Sequence, residues 1–261
     1  MIVRACLPTV ATVMIGLLGC VFSGASAIAA GSLRVDNKVF VNEEKEPRSQ
    51  STTIFHEGLV YDFLDKPAEI TVFDLAHHRF VLLDPARRVK TELSTDEVAA
   101  LCENLRTWAK RQTDPFLRFM ADPRFEQGFD EAAGEIVFKS ERMTYRVATA
   151  PAPSEAVARQ YREFSDWYTR LNARLNPGSK LPFARLGVNQ ALERRQELPR
   201  EVKLAILPKK GQLGQKHVAR SEHSVTTRLS QADEDRIGQA EQYMAIFQPV
   251  DFERYQENMG R

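Results

Sequence analysis

The stretch Ser51–Leu93, STTIFHEGLVYDFLDKPAEITVFDLAHHRFVLLDPARRVKTEL, decides the fold. Five short runs rich in Ile, Val, Phe, Leu and Tyr are separated by Glu57-Gly58, Asp65-Lys66-Pro67, Ala76-His77-His78 and Asp84-Pro85-Ala86. Turn-forming residues at intervals of eight to ten predict an up-and-down antiparallel meander. Within it, Val89 and Leu93 alternate with Arg88, Lys90 and Glu92, as in a strand with one face in water. The strand around Ile70–Leu75 differs. Ile70 and Val72 face one way, while Thr71, Phe73 and Leu75 face the other. Leu59–Leu64 and Phe80–Leu83 are also apolar on both sides. A sheet of this kind needs cover on both faces, from helices, from its own curvature or from a ligand.

Helices flank the meander. Ser94 and Glu97 stand at capping-box spacing ahead of the stripe Val98, Leu101, Cys102, Leu105, Trp108 and Ala109. Ser154 caps a second helix, in which Val157, Tyr161, Phe164, Tyr168, Leu171 and Leu175 recur at spacings of three and four, ended by Asn176-Pro177-Gly178. Pro182–Leu198 reads as a more polar helix. Glu201–Leu207 reads as a strand turned by Lys209-Lys210-Gly211, and His217–Leu229 as a long polar strand near a sheet edge. Strands are also expected at Leu33–Val41, Arg124–Phe129, Glu135–Lys139 and Met143–Ala148, with a short helix at Phe116–Met120. Ser230 caps a last helix, and Phe252 and Tyr255 pin the tail. The fold class is therefore α+β: a large curved antiparallel meander, half-barrel-like, packed with several helices. Residues 31–261 form a single domain.

Residues 1–30 differ in kind. Arg4 is their only charge, Thr9–Phe22 is apolar apart from small residues, and Ala25-Ser26-Ala27 and Ala29-Ala30 follow. This is the layout of a secretory signal peptide cleaved after Ala27 or Ala30. Two alternatives stay open: lipidation of Cys20 in the lipobox-like Leu17-Leu18-Gly19-Cys20, and retention of the segment as an anchor. Each places the domain outside the cytoplasm, in the periplasm or beyond. Without the leader, 35 basic residues face 35 acidic ones, so no charge imbalance steers the chain toward nucleic acid. The mature chain keeps only Cys102, which lies in a helical apolar stripe and reads as buried and inert.

The common catalytic motifs are absent: no G-x-S-x-G, P-loop, G-x-G-x-x-G or H-E-x-x-H occurs. His77 and His78 are adjacent and point apart. His217 and His223 share a strand face at a separation of about 20 Å. A site assembled across neighbouring hairpins from His56, His77 or His78 and an acid such as Asp74 is the hydrolytic alternative. Asp62, Asp65, Asp74 and Asp84 read as strand-end residues that bond turning backbone. No catalytic residue, metal ligand or cofactor is assigned.

The runs Leu59-Val60-Tyr61-Asp62-Phe63, Ile70-Thr71-Val72-Phe73-Asp74 and Arg79–Asp84, behind a secretory leader, resemble the strands of the lipoprotein-carrier superfamily of LolA and LolB. The resemblance spans Leu33–Leu229 by element order. It implies a curved half-barrel sheet, closed by helices, that holds acyl chains on its concave side. The chain departs from that family in opening with a strand and in carrying additional helices at Pro182–Leu198 and at its C-terminus. No family binding residues are carried across. The two capped helices suffice for one face of the meander. On the other, Phe73, Leu75, Val81 and Leu83 are candidates to line a ligand site. The expected function is a non-enzymatic extracytoplasmic module for a lipid or other apolar ligand. The alternatives are an interaction scaffold that binds an envelope protein, and a hydrolase built on scattered His and Asp.

Overall fold

In the computed structural model the meander forms with two-residue and four-residue connections. The described residues are 32–207 and 217–257, so the expectations on the leader and on Lys209-Lys210-Gly211 lie outside them. Glu57 and Gly58 both adopt positive φ (47° and 83°), as a two-residue turn between right-twisted strands requires. His78 and Arg88 end their turns in the same left-handed region. Asp74 and Asp84 accept the backbone N–H of His77 (3.2 Å) and Arg87 (2.8 Å), the turn role expected of them.

The strands are β1 (Leu33–Val41), β2 (Ser49–His56), β3 (Leu59–Leu64), β4 (Glu69–Asp74), β5 (Arg79–Asp84), β6 (Val89–Ser94), β7 (Glu126–Asp130), β8 (Glu135–Lys139), β9 (Met143–Pro151), β10 (Glu197–Ile206), β11 (His217–Thr226) and β12 (Gln248–Pro249). The helices are α1 (Thr95–Lys110), α2 (Pro115–Ala121), α3 (Glu155–Leu175), α4 (Phe183–Arg194), α5 (Gln231–Ile246) and α6 (Phe252–Gln256). All strands share one open 12-stranded sheet in the order β12-β6-β5-β4-β3-β2-β1-β11-β10-β9-β8-β7. Every pairing is antiparallel except β12 with β6. This is the α+β class expected from the sequence.

Two elements depart from the sequence reading. The helix expected to run to Leu198 stops at Arg194, because Gln196 turns the chain at φ 56° and Leu198 enters β10. There Leu198 pairs with Ala150 and is buried in the core, a better position than a polar helix offers it. The polar strand β11 lies at the centre of the sheet, between β1 and β10, not near an edge. It is polar because one of its faces meets water and the other lines a cleft.

The helices divide the sheet into an inner and an outer face. On the inner face of the meander, Phe55, Val60, Phe73 and Phe80 form one cross-strand row under α3, with Phe164 and Leu171 packed on it. Phe73 stacks on Phe80 at 4.8 Å between ring centroids. The capping box of α1 is present: the Ser94 hydroxyl accepts the Glu97 N–H (3.1 Å), and the Glu97 carboxylate accepts the Ser94 N–H (2.9 Å). On the outer face, Ile54, Tyr61, Phe63, Ile70, Val72, Val81 and Leu83 pack against Ile237, Ala240 and Phe247. The cover that the sequence left open is therefore α5. It is tied down by Arg34 to Asp233 (2.9 Å) and by the Tyr61 hydroxyl donating to Glu241 (3.2 Å).

Beyond β1 the plan changes. Ile136, Phe138, Met143, Tyr145, Val147, Val202 and Leu204 bury the inner face of β8–β10 against α4 and Met120 of α2. The outer face of β7–β11 carries Arg146, Lys203 and Arg220, paired with Asp130, Glu135, Glu201 and Glu222 in a continuous ladder. No helix among the described residues covers it. The C-terminal segment closes the opposite edge: Phe252 and Tyr255 are buried, as expected, and Arg87 donates to the Tyr255 carbonyl (2.7 Å).

Candidate functional site: a polar cleft under helix α3

The inner face of the meander is apolar only along part of each strand. Two residues further along from the Phe55–Val60–Phe73 row comes Thr53–Asp62–Thr71, and two further comes Ser51–Leu64–Glu69. Asn37 sits beside Ser51, and His223 beside Asn37. Here α3 stands off the sheet and leaves a cleft of about 930 Å³. Its floor is this polar patch and its roof is Tyr161, Phe164, Tyr168 and Leu175, with Arg185 of α4 and Gln256 of α6 contributing to the walls.

A hydrogen-bond chain crosses the floor from strand to strand. The Ser221 hydroxyl meets His223 Nε2 (2.9 Å), and His223 Nδ1 donates to Asn37 Oδ1 (2.8 Å). Asn37 Nδ2 donates to Thr53 Oγ1 (3.0 Å), which donates to Asp62 Oδ1 (2.6 Å). The Tyr168 hydroxyl closes the chain from the roof onto Asp62 Oδ2 (2.8 Å). The chain sets the histidine tautomer, because an amide oxygen only accepts. Nδ1 carries the proton and Nε2 is left as an acceptor.

Ser221, His223 and Asn37 have the connectivity of a nucleophile, base and orienting group. The electrostatics are wrong for that use. Burial, with the nearby Arg185 guanidinium, pushes the imidazole down to about 3. Asn37 supplies no negative charge to offset this, so the ring resists the proton a general base must take. The neutral ring serves the floor as one hydrogen-bond donor and one acceptor.

The carboxyls are perturbed the other way. Burial raises Asp62 above the usual range, against the hydrogen bonds from Thr53 and Tyr168. Burial also pushes Glu69 up to about 7, helped by Asp84 and Asp62 and opposed by the Tyr255 hydroxyl and Arg87. That hydroxyl reaches Glu69 Oε1 at 3.1 Å and links the carboxyl to α6.

Phe73, Leu75, Val81 and Leu83, the lining candidates read from the sequence, are not in this cleft. Phe73 is buried on the inner face, and Leu75 packs at the margin of the same cluster. Val81 and Leu83 point to the outer face beneath α5. The β4–β5 register pairs Phe73 with Phe80 and Val72 with Val81, so the four never share a face. Nor do His56, His77 and Asp74 assemble a site. His77 Nδ1 touches Asp74 at 2.7 Å within the turn, while His56 lies next to the exposed Glu57. Among the described residues, no group of three His, Cys, Asp or Glu side chains is placed to hold a metal. Burial raises the Cys102 thiol, consistent with an inert core residue.

Sequence reasoning missed Asp62 and Glu69. Asp62 is inside a strand, not at its end, and the signal was present: LVYDFL places an acid between Val60 and Leu64, with no turn residue beside it.

No helix among the described residues is long and apolar enough to cross a membrane. No family model matches this chain, and no curated protein does. Among solved structures, a LolA superfamily protein from Nitrosomonas europaea aligns with 77% of this chain and 87% of its own, at 8% identity and a TM-score of 0.28. That is a weak likeness of fold, and no functional residue is carried over from it.

Proposed function

We propose that the protein is an extracytoplasmic binding module that holds an elongated amphipathic small molecule in the cleft between α3 and the β11–β1–β2–β3–β4 floor. The carrying observation is the cleft itself. The apolar faces of the sheet are filled by side chains from α1, α3, α4, α5 and α6, while a volume of about 930 Å³ stays open. Its size is that of a site for a small organic ligand. Its lining mixes Tyr161, Phe164, Leu64 and Leu175 with hydroxyls, amides and carboxyls. That mixture suits a ligand with an apolar stem and polar groups better than a bare acyl chain. The leader at residues 1–30 supports export of the domain and its encounter with envelope compounds.

The test is native mass spectrometry of protein purified from an envelope extract without detergent washing. A non-covalent adduct that solvent extraction removes is expected. The variant Ser51→Trp, which puts an indole into the cleft, should lose it while keeping the parent circular dichroism spectrum. An adduct that persists in a folded Ser51→Trp protein, or a wild type that is never loaded, overturns the reading.

A further inference from the structure

We propose that the cleft is bipolar and selects a chain-like zwitterion, with an anionic group at the Arg185 end and a protonated amine at the Glu69 end. The proposal rests on the reading of the cleft as the ligand site and adds the chemistry of both poles.

The poles are set by the topology. His223 belongs to β11 and Glu69 to β4, four strand steps apart in the order β11-β1-β2-β3-β4. At about 4.8 Å per step the floor between them spans roughly 19 Å. Arg185 lines the His223 end and depresses that imidazole, so the positive pole is felt there. Its guanidinium has no carboxylate partner among the ion pairs of the described residues, although the neighbouring Arg162 on α3 has two. An anion is the natural occupant opposite an unpaired guanidinium.

At the other end, two carboxyls face the cleft from adjacent strands. Glu69 is 9% exposed and Asp62 3%. Both take hydrogen bonds from hydroxyls, Glu69 from Tyr255 and Asp62 from Thr53 and Tyr168, and neither has a cation within salt-bridge reach among the described residues. Each oxygen of Asp62 already accepts one hydroxyl, Oδ1 that of Thr53 and Oδ2 that of Tyr168. Glu69 Oε2 has no protein donor among the described residues, so Glu69 is the group open to a ligand. The charged and titratable groups around Glu69 are Asp62 on β3, Asp84 at the end of β5, Arg87 in the following turn and Tyr255 on α6. Tyr168 of α3 also faces it, and the one cation of the set, Arg87, is held by Asp84 (2.6 Å) and by the Tyr255 carbonyl, so no cation contacts Glu69 directly. An ammonium group would supply that contact, with the Tyr161, Phe164 and Tyr168 rings above the stem. As the ammonium enters, Glu69 releases its proton to solvent, and binding therefore tightens as pH rises through 7.

The probes are ω-aminododecanoic acid, dodecanoic acid and dodecylamine, titrated calorimetrically below their critical micelle concentrations into delipidated full-length protein. The amino acid should bind at least about tenfold tighter than either single-headed compound, the worth of one charge-assisted hydrogen bond in a buried site. Its affinity should fall about tenfold from pH 8 to pH 6. Glu69→Gln, which keeps an acceptor for Tyr255, should abolish both the advantage over dodecanoic acid and the pH dependence. Arg185→Gln should abolish the advantage over dodecylamine. Equal binding of all three probes, or an unchanged Glu69→Gln variant, overturns the bipolar assignment. If such indifferent binding is lost in Ser51→Trp, the cleft remains the ligand site and only its polarity has been misassigned. A native adduct combined with no binding of any probe likewise overturns the polarity and leaves the cleft as the ligand site.

Discussion

The two halves of the sheet solve one problem in opposite ways. From β2 to β6 the outer face is apolar and buried under α5, while the inner one is apolar along part of each strand and polar where β2–β4 floor the cleft. From β8 to β10 only the inner face is apolar, and the outer face of β7–β11 carries the ladder Asp130–Arg146–Glu135–Lys203–Glu201–Arg220–Glu222 in water. A strand does not need two layers of cover if alternate residues are charged and meet opposite charges across the sheet. The cleft runs from β11 across β1 to β4, and the inner-face residues along it are neither wholly apolar nor wholly solvated.

The contrast predicts a ranked set of stability losses. Phe80→Ala removes a fully buried ring stacked on Phe73, and chemical denaturation should register a loss of about 3–5 kcal/mol. Ile237→Ala, which thins the α5 cover, should cost about 2–4 kcal/mol and increase dye binding by exposed apolar surface. Arg146→Ala, on the wet outer face, should cost less than about 1 kcal/mol, and its effect should shrink further in high salt. If Arg146→Ala costs as much as Ile237→Ala, the two outer faces are not held by different physics.

Between these extremes lies a pH effect. Glu69 is protonated in the folded protein up to about 7, but only up to its ordinary value of 4.5 once unfolded. The folded state binds the extra proton in that window, so this group's contribution to stability falls as pH rises from about 4.5 to 7. The loss is on the order of 1–3 kcal/mol. Glu69→Gln should flatten that segment of the stability–pH curve. A curve unchanged by the substitution would mean that Glu69 is not held in its protonated form.

The meander was legible because turn residues and two-sided apolar runs are local signals. The capping box at Ser94 and the cap at Ser230 are local in the same way. The role of α5 was only partly legible. Its cap at Ser230 was visible, but nothing local says that a helix following a polar strand returns to the far face of a sheet begun at Leu33. The central place of β11 was hidden likewise, since a strand with one charged face and one cleft-lining face has the composition of an edge. The cleft depends on register. Asp62, Thr53, Asn37 and His223 come together only when β3, β2, β1 and β11 are aligned, and His223 is 186 residues from Asn37.

A crystal structure of the protein purified from envelope extract with its native cargo retained tests the central claim most directly. Continuous elongated density along the floor from Arg185 and His223 to Glu69, beneath Tyr161 and Tyr168, is the predicted result. A cleft filled by ordered water alone, with cargo density beneath α5 or on the charged outer face, would contradict it.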